Sequence, residues 1–290
     1  MVVLMKKMPV ISIITINLNN AQGLQKTIES VVSQTFSSFE FIVIDGGSTD
    51  NSHSVIEAYS KYLTYWVSEP DRGIYHAMNK GIKVAKGNYC LFLNSGDWLV
   101  NHTVLADVFS ENSKADIIAG DVYYYDNQRN IIQWHVASPD VMSAKTLFEG
   151  SLPHQSTFIR RALFETIGYY NESLRIASDW LFFVEALLEK GCSYKHYQGV
   201  VSYFNMDGIS CNPATDSLPK REQLRVLQQK YPLFLADYDR LAELEEKEKR
   251  WSRSREYLVF TYFQKIGLIQ VGVFCLRVFR FLKRKMAFSR

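Results

Sequence analysis

Over the first hundred residues, continuous apolar runs alternate with segments whose apolar residues are spaced as on a helix. The run from Val10 to Ile16 is β-branched and almost entirely apolar, which is typical of a strand buried on both faces of a parallel sheet. Apolar residues then recur at helical spacing from Leu24 to Val32, and Phe39 to Ile44 forms a second strand-like run. The alternation continues with predicted helices at about 51–62 and 75–85 and predicted strands at 63–67 and 89–93. This order predicts an open α/β sheet.

Beyond Leu99 the pattern changes to that of an α+β region. The elements predicted there are strands at 116–125, 131–136, 157–159 and 194–203, a helix at 178–190, and helical sequence from 219 onward with a break at Pro232. We therefore divide the chain into a first half at 1–100, a second half of the same domain at 101–212, and a helical C-terminal extension at 213–290.

Composition places the chain among globular proteins, but its charge is unevenly distributed. The 290 residues are 47% hydrophobic and 22% charged, with a formal net charge of +3, which taken whole argues against a dedicated nucleic-acid binder. From Lys247 onward, however, there are 12 basic residues and two acidic ones. An acidic body thus carries a strongly basic tail.

The cysteines and the N-terminus indicate a cytoplasmic protein. Four widely spaced cysteines with no Cys-x-x-Cys pair suggest neither a zinc site nor a disulfide framework. The apolar stretch after Lys6 and Lys7 is short and contains Ser12 and Thr15, so it is interpreted as a strand and not as a signal peptide.

Polar clusters follow three of the predicted strands, at 17–20, 45–50 and 94–97. Open α/β sheets bind ligands beyond the carboxyl ends of their strands, so these clusters indicate a binding site. Neither a Gly-x-Gly-x-x-Gly sequence after the first strand nor a P-loop motif occurs in the chain. The ligand is therefore expected to be held in another way.

Six motifs, in this order and spacing, resemble the family 2 glycosyltransferases, over about residues 9–203. They are Ile11-Ser-Ile-Ile-Thr-Ile-Asn-Leu-Asn19, Ser33-Gln-Thr-Phe36, Phe41-Ile-Val-Ile-Asp-Gly-Gly-Ser-Thr-Asp50, Ser68-Glu-Pro-Asp-Arg-Gly-Ile-Tyr75, Ala77-Met-Asn-Lys-Gly81 and Phe92-Leu-Asn-Ser-Gly-Asp97. The resemblance implies a GT-A type fold, a Rossmann-like open mixed sheet flanked by helices. The Glu-Pro-Asp-x-Gly-Ile-Tyr variant is similar to bacterial enzymes that build surface polysaccharides.

The resemblance implies a site for a nucleotide-sugar donor at the strand ends. Its donor-binding residues would be Thr15, Asn17, Asn19, Asp45, Gly47, Asp71, Arg72, Asn79, Asn94 and Ser95. Asp45 would accept a hydrogen bond from a uracil-like N–H, which a carboxylate at a strand end can do. Taken alone, the 45–50 segment is better explained as a turn that caps the next helix, and the donor role is preferred only because the other motifs accompany it.

The resemblance also implies Mn²⁺ or Mg²⁺, because a divalent cation neutralises the leaving diphosphate. The family usually has an acidic pair where this chain has Asn94-Ser-Gly-Asp97, so Asp97 is the remaining carboxylate ligand. The alternative is a loop that caps the following helix.

On the acceptor side, Asp179 matches the family's general base, which takes the proton of the acceptor hydroxyl in an inverting transfer. Ser178 stands where the family motif has a second acid, and a helix cap explains the Ser-Asp pair structurally. His154 and Gln155 match a pair that lines the acceptor side. Trp180 is expected either to stack on a sugar or to be plain core.

The tail is apolar as well as basic, but its longest uncharged run, Ile266 to Leu276, has 11 residues. A spanning helix needs about 20. Arg277, Arg280 and Arg284 share one helical face, which favours an interfacial helix on anionic lipid and not on nucleic acid. The alternative is packing on the body or on a partner subunit, and oligomerisation is left open.

These observations predict an inverting glycosyltransferase at the inner face of the cell membrane. It would move a sugar from a nucleotide-diphosphate donor, favoured as a UDP-sugar, to a growing, lipid-linked glycan. The alternative is a non-catalytic relative that binds nucleotide sugar or glycan within a complex, because acidic residues of the family are replaced at Ser95 and Ser178.

Overall fold

The computed structural model describes residues 8–110, 113–208, 217–268 and 270. The predicted α/β first half is confirmed. Its elements are β1 (Ile11–Asn17), α1 (Ala21–Val32), β2 (Phe39–Asp45), α2 (Ser52–Tyr59), β3 (Tyr65–Ser68), α3 (Ile74–Val84) and β4 (Tyr89–Phe92). The end of the predicted second helix, Ser60–Tyr62, is a 3₁₀ turn.

The second half contains shorter elements between its long strands. These are β5 (Trp98–Leu99), α4 (Val104–Ser110), β6 (Ile117–Asp126), β7 (Ile131–Val136), α5 (Ala144–Glu149), β8 (Thr157–Arg160), α6 (Leu163–Thr166), α7 (Ser178–Val184) and β9 (Tyr194–Asn205). The helix predicted to run to Lys190 leaves α geometry after Val184 and continues as a π turn over Glu185–Glu189. The elements β5, α4, α5 and α6 were not predicted, since each is too short to show a period.

Within the described residues, the nine strands form one mixed sheet. Its order is β3-β2-β1-β4-β8-β6-β9-β5, with β7 paired to β6. The first four of these strands run parallel, so the carboxyl ends of β1, β2 and β4 lie at one edge. The strand β8 joins antiparallel to β4 and to β6, which unites the two predicted halves in a single sheet.

The core lies on both faces of β1, as the continuous apolar run predicts. All seven residues of this strand are buried, and Ile11, Ile13 and Ile14 are 0% exposed. Burial of each such side chain contributes about 1.5–3 kcal/mol. A Cβ on Gly81 of α3 would lie 2.4 Å from Ile14 Cγ2, so only glycine lets this helix pack so close to β1.

The C-terminal part is helical, as predicted. It contains α8 (Leu218–Lys230), α9 (Pro232–Ser252) and α10 (Arg255–Lys265). Pro232 occupies the first turn of α9, where a missing N–H costs nothing. The chain divides into two compact units after Val226, within α8. The start of the predicted extension at 213 and the arginine face at 277–284 lie outside the described residues.

Candidate active site

A cavity of about 1060 Å³ lies at the carboxyl edge of the parallel strands. Its wall is formed by the ends of β1 and β4, the first turns of α1 and α3, and the end of β9. Six of the predicted donor-site residues or metal ligands line it: Asn17, Asn19, Asp71, Asn94, Ser95 and Asp97. Residues from three separate motifs therefore meet at one site.

The strand-end residues Thr15 and Asp45 lie behind the wall of this cavity. Thr15 is 0% exposed and donates its hydroxyl proton to the Leu93 carbonyl at 2.7 Å. Asp45 is also 0% exposed. Both side chains are thus covered in this structure, and their direct contact with the donor stays a prediction.

The Asp45 carboxylate accepts four hydrogen bonds from within the protein. Asn17 donates at 2.7 Å and the Ser68 hydroxyl at 2.6 Å, while Ser48 donates its backbone N–H at 2.9 Å and its hydroxyl at 2.5 Å. Burial raises the pKa of Asp45, but these hydrogen bonds outweigh it and hold the pKa below its usual value. In this structure Asp45 fixes the loop after β2 and orients Asn17.

Asn17 and Asn19, at the end of β1, line the cavity beside the loop after β2. Asn17 is 4% exposed, and its buried Oδ1 has no hydrogen-bond partner among the described residues. Asn19 adopts a left-handed φ of 51° and accepts the Thr49 N–H at 2.8 Å. Gly47 has φ +83°, and a Cβ there would lie 3.2 Å from the Pro70 nitrogen, so it shapes the loop without lining the cavity.

The segment before α3 contributes Asp71 to the cavity, while the predicted donor-binding residues Arg72 and Asn79 are not among the lining residues. Arg72 is mostly exposed and pairs with Glu172 at 2.7 Å. Asn79 is 3% exposed, donates to the Tyr170 carbonyl at 2.9 Å and accepts the Tyr170 N–H at 3.0 Å. The Asn79 amide thus ties α3 to the Tyr170 segment, and its contact with the donor stays a prediction.

Asp97 is the buried carboxylate of the cavity wall. It is 4% exposed, and its Oδ1 accepts the Asn205 N–H at 2.9 Å. Burial raises the pKa of Asp97 to about 7, against smaller lowering effects of the Asn205 hydrogen bond and of His154. Its negative charge is thus poorly compensated by the protein.

The charges around the cavity favour a bound cation. Four carboxylates line it, from Glu29, Asp71, Asp97 and Asp207, whereas Lys26 is its one lysine or arginine among the described lining residues. The Lys26 ammonium lies 3.1 Å from the centre of the Trp98 ring, and burial lowers its pKa. A diphosphate entering here would meet mostly like charge.

These residues fit a divalent cation that is only partly ligated by protein. In the described ranges no group of three or more His, Cys, Asp or Glu side chains could hold a metal ion. Asp97 offers one hard oxygen ligand, and its raised pKa shows that a cation beside it would relieve buried charge. Phosphate oxygens and water would complete the coordination, as is usual for Mg²⁺.

A second pocket, of about 300 Å³, adjoins the first and contains Asp179 at the start of α7. Asn94 and His154 line both pockets. His154 Nδ1 lies 3.1 Å from Asp179 Oδ2, and its Nε2 lies 3.2 Å from Asn94 Nδ2. Burial lowers the pKa of His154, but the hydrogen bond and charge of Asp179 and the charge of Asp97 raise it above 6.5 overall.

Tyr75 completes the environment of Asp179, and the sequence analysis gave it no role. Its hydroxyl lies 2.8 Å from Asp179 Oδ1 and donates toward it, and it also contacts the Ile176 carbonyl. Burial and the nearby Asp179 charge raise the pKa of Tyr75 well above its usual value, so it remains a proton donor. Its position at the end of the Gly-Ile-Tyr motif was the available signal.

Gln155 and Trp180 also belong to the second pocket. Gln155 is 3% exposed. Trp180 is 1% exposed, and its indole N–H donates to the Leu147 carbonyl at 2.6 Å. Trp180 is thus a buried side chain at the edge of this pocket, and its stacking on a sugar stays a prediction.

The chain matches the family model described as Glycosyl transferase family 2 over residues 12–188. A PGL/p-HBAD biosynthesis glycosyltransferase of Mycobacterium bovis is 32% identical over 214 residues, which cover 72% of this chain and 81% of the relative. An uncharacterized glycosyltransferase of Mycobacterium tuberculosis is 34% identical over 208 residues, 71% of this chain and 78% of the relative.

Solved structures with a similar fold include Staphylococcus aureus TarS 1-349 in complex with UDP, with a TM-score of 0.55 and 24% identity. The match covers 67% of this chain and 60% of that chain. The mannosyltransferase PcManGT of Pyrobaculum calidifontis, in complex with GDP-Man and Mn²⁺, has a TM-score of 0.52 and 16% identity, covering 92% and 87% of the two chains. With the family match over more than half of its length, the chain belongs to glycosyltransferase family 2 and has the GT-A fold.

Proposed function

We propose that this protein is an inverting glycosyltransferase that moves a sugar from a UDP-sugar to a hydroxyl of a lipid-linked glycan. The observation that carries the proposal is the junction of the two pockets. The larger one holds Asp97 and the strand-end loops, and the smaller one holds Asp179. Four residues line both pockets: Ile74, Asn94, His154 and Phe204. A donor in the first and an acceptor in the second would meet beside a carboxylate base.

In the proposed reaction the acceptor oxygen attacks the anomeric carbon while the bond from that carbon to the diphosphate oxygen breaks. The acceptor proton passes to the Asp179 carboxylate, and the electron pair of the broken bond leaves on the diphosphate. Tyr75 and His154 contact the two oxygens of Asp179 from different sides. They would hold it in the orientation needed for proton transfer.

A divalent cation, Mn²⁺ or Mg²⁺, would supply charge neutralisation for the leaving diphosphate. Asp97 would hold it, with Asn94 and Ser95 as neutral neighbours on the same loop. The four carboxylates of the cavity support this requirement. The UDP complex of TarS and the GDP-Man and Mn²⁺ complex of PcManGT motivate UDP as the first donor to test and Mn²⁺ as the first metal.

An acceptor with an apolar part fits the second pocket and the strand beside it. Tyr124, Val136 and Phe204 line this pocket. The bulge in β7 places Val136, Trp134 and Ile131 opposite alternate residues of β6, so they share one face, and they are 38%, 55% and 46% exposed. This apolar row begins at the pocket and would support the lipid-proximal end of an acceptor.

Attachment to the cytoplasmic face of the membrane is part of the proposal. Within the described residues, no helix is long and apolar enough to cross a bilayer. The helix α10 nevertheless exposes apolar side chains, among them Leu258 at 62% and Phe260 at 46%, close to Arg253 and Arg255. Such a helix suits the surface of anionic lipid. Deletion of residues 251–290 should release the protein from vesicles that contain anionic lipid, and unchanged sedimentation would contradict this.

The central experiment compares wild type with Asp179→Asn. UDP-sugars are first screened by thermal shift with and without Mn²⁺, since a ligand of the folded state raises its stability. Transfer to a lipid-linked acceptor is then followed with the donor that binds. We expect Asp179→Asn to lower the transfer rate by about 10²- to 10⁴-fold, the usual contribution of a general base, with donor binding nearly unchanged.

The matched control is Asp239→Asn, on an exposed position of α9, which should leave transfer unchanged. Substantial transfer by Asp179→Asn would overturn the assignment of the base. Donor binding by wild type without any transfer or hydrolysis would instead favour the non-catalytic alternative.

A further inference from the structure

A buried carboxylate on α8 holds the segment that precedes α7. Glu222 is 9% exposed. Its Oε1 accepts the Arg175 N–H at 2.8 Å, and its Oε2 accepts the N–H groups of Ile176 and Ala177, both at 3.0 Å. Three consecutive backbone donors thus converge on one side chain, and these donors lie just before the first turn of α7.

This contact leads directly to Asp179. The carbonyl of Ile176, whose N–H is bound by Glu222, contacts the Tyr75 hydroxyl. The same hydroxyl lies 2.8 Å from Asp179 Oδ1. Displacement of the Ile176 backbone would therefore move a partner of Tyr75 and, through Tyr75, change the surroundings of the Asp179 carboxylate.

The helix that carries Glu222 also forms part of the second pocket. Pro219 and Gln223, its neighbours on α8, line that pocket together with Ile176, Ala177 and Asp179. The helix α8 thus lines the pocket and also fixes the backbone segment that immediately precedes Asp179.

We propose that Glu222 is a positioning residue that aligns Asp179 for proton transfer through the Ile176 backbone and Tyr75. This inference rests on the proposed function, in which Asp179 is the base. Only a side chain with acceptors at both terminal atoms can satisfy the three N–H groups. A glutamine would turn an NH₂ group toward at least one of them and leave that buried donor without a partner.

The test is Glu222→Gln, with Glu57→Gln on the exposed face of α2 as the matched control. We expect the variant to lower kcat for transfer by about tenfold or more, because small misplacements of catalytic groups are costly. The KM for the donor should stay within twofold of wild type, and the thermal shift caused by UDP should equal that of wild type within error. Both are expected because the donor cavity is lined by other residues. Rates are normalised to the folded fraction measured by circular dichroism.

Tyr75→Phe separates positioning from a general loss of stability. If Glu222 acts through Tyr75, the double variant should have a kcat close to that of the slower single variant. Multiplicative losses in the double variant would overturn the proposal, as would a normalised kcat for Glu222→Gln within twofold of wild type.

Hydrogen exchange of the 175–177 amides provides a measurement that does not depend on activity. Glu222→Gln should increase their exchange, while Glu57→Gln should not, and unchanged protection would refute the link itself. If exchange increases but Asp179→Asn retains transfer, the base assignment has failed and the Glu222 contact has not. The two failures are thereby distinguished.

Discussion

Asp45, the last residue of β2, and Asp97, in the loop after β4, are two buried aspartates at the carboxyl edge whose charges have opposite environments. Asp45 accepts four hydrogen bonds, and its pKa lies below the usual value. Asp97 accepts the Asn205 N–H, and burial raises its pKa to about 7. The first carboxylate is satisfied by the protein, whereas the second is left in need of positive charge. The comparison separates a structural carboxylate from one available to a ligand.

Among the tests of this comparison, the largest expected effect is on transfer by an Asp97 variant. Asp97→Asn should lower transfer by about 10²- to 10³-fold, as loss of a group that stabilises transition-state charge does. Thermal stability at pH 8 should be unchanged or higher, because a buried charge is removed and an amide oxygen still accepts the Asn205 N–H. Transfer assays and thermal unfolding on the same preparation measure both. An Asp97→Asn variant that is destabilised but still active would contradict this, because it would make Asp97 the structural carboxylate.

Asp45→Asn should show the reverse pattern. An amide at this position turns an NH₂ group toward donors that Asp45 now binds, so we expect a loss of about 2–4 kcal/mol in the free energy of unfolding. Urea unfolding measures the loss, and transfer well below the midpoint should remain within about tenfold of wild type. A stable variant that no longer binds UDP would show that Asp45 contacts the uracil ring of the donor, as the family resemblance implies.

The location of this site could be predicted from the sequence. The contacts of its individual residues could not. The position of the polar clusters at the strand ends could be predicted from the apolar runs of β1 and β2 and from the parallel arrangement of the strands. Both follow from local sequence patterns. Whether a side chain faces the cavity or the interior depends on the closure of loops over it. Asp45 and Asn79 were assigned to the donor from their motifs, yet Ser48 and Tyr170 occupy their polar atoms.

The contacts that surround Asp179 show a second limit. Tyr75 lies 104 positions before Asp179 in the chain. Glu222, which binds the Ile176 backbone, lies 46 positions after Ile176. Pairings at such separation depend on how α7 meets Tyr75 of α3 and how α8 meets the segment before α7, which no local period encodes. The short elements β5, α4, α5 and α6 were missed for a related reason, since tertiary contacts rather than repeated apolar spacing hold them.

The pH dependence of stability gives a smaller but directional test. The folded pKa of Asp97, about 7, exceeds its ordinary value of 3.8, so its contribution to stability is full below pH 3.8 and is lost as the pH rises through 7. The loss amounts to about 4 kcal/mol. Asp45 has a lowered pKa, so its contribution is present above pH 3.8 and is lost as the pH falls through its folded value.

A divalent cation should offset the loss at Asp97. We expect the rise in Tm caused by Mn²⁺ to increase between pH 5.5 and pH 8, since the cation binds the ionised carboxylate. In Asp97→Asn this rise should be small at every pH, while Asp45→Asn should keep the pH trend of wild type. A wild-type shift that is equal at both pH values would place the metal away from Asp97.

The smallest expected effect tests whether the Asp97 charge reaches the acceptor side. His154 has a raised pKa because the effects of Asp179 and Asp97 exceed the lowering by burial. Asp179→Asn should therefore lower the His154 pKa most, Asp97→Asn should lower it less, and Asp45→Asn should leave it unchanged. NMR titration of labelled histidine, with the His154 signal assigned from a His154→Gln variant, measures the three shifts. An unaltered titration in Asp97→Asn would mean that the donor cavity and the base are electrostatically separate, and that only Asp179 sets the charge on the histidine between them.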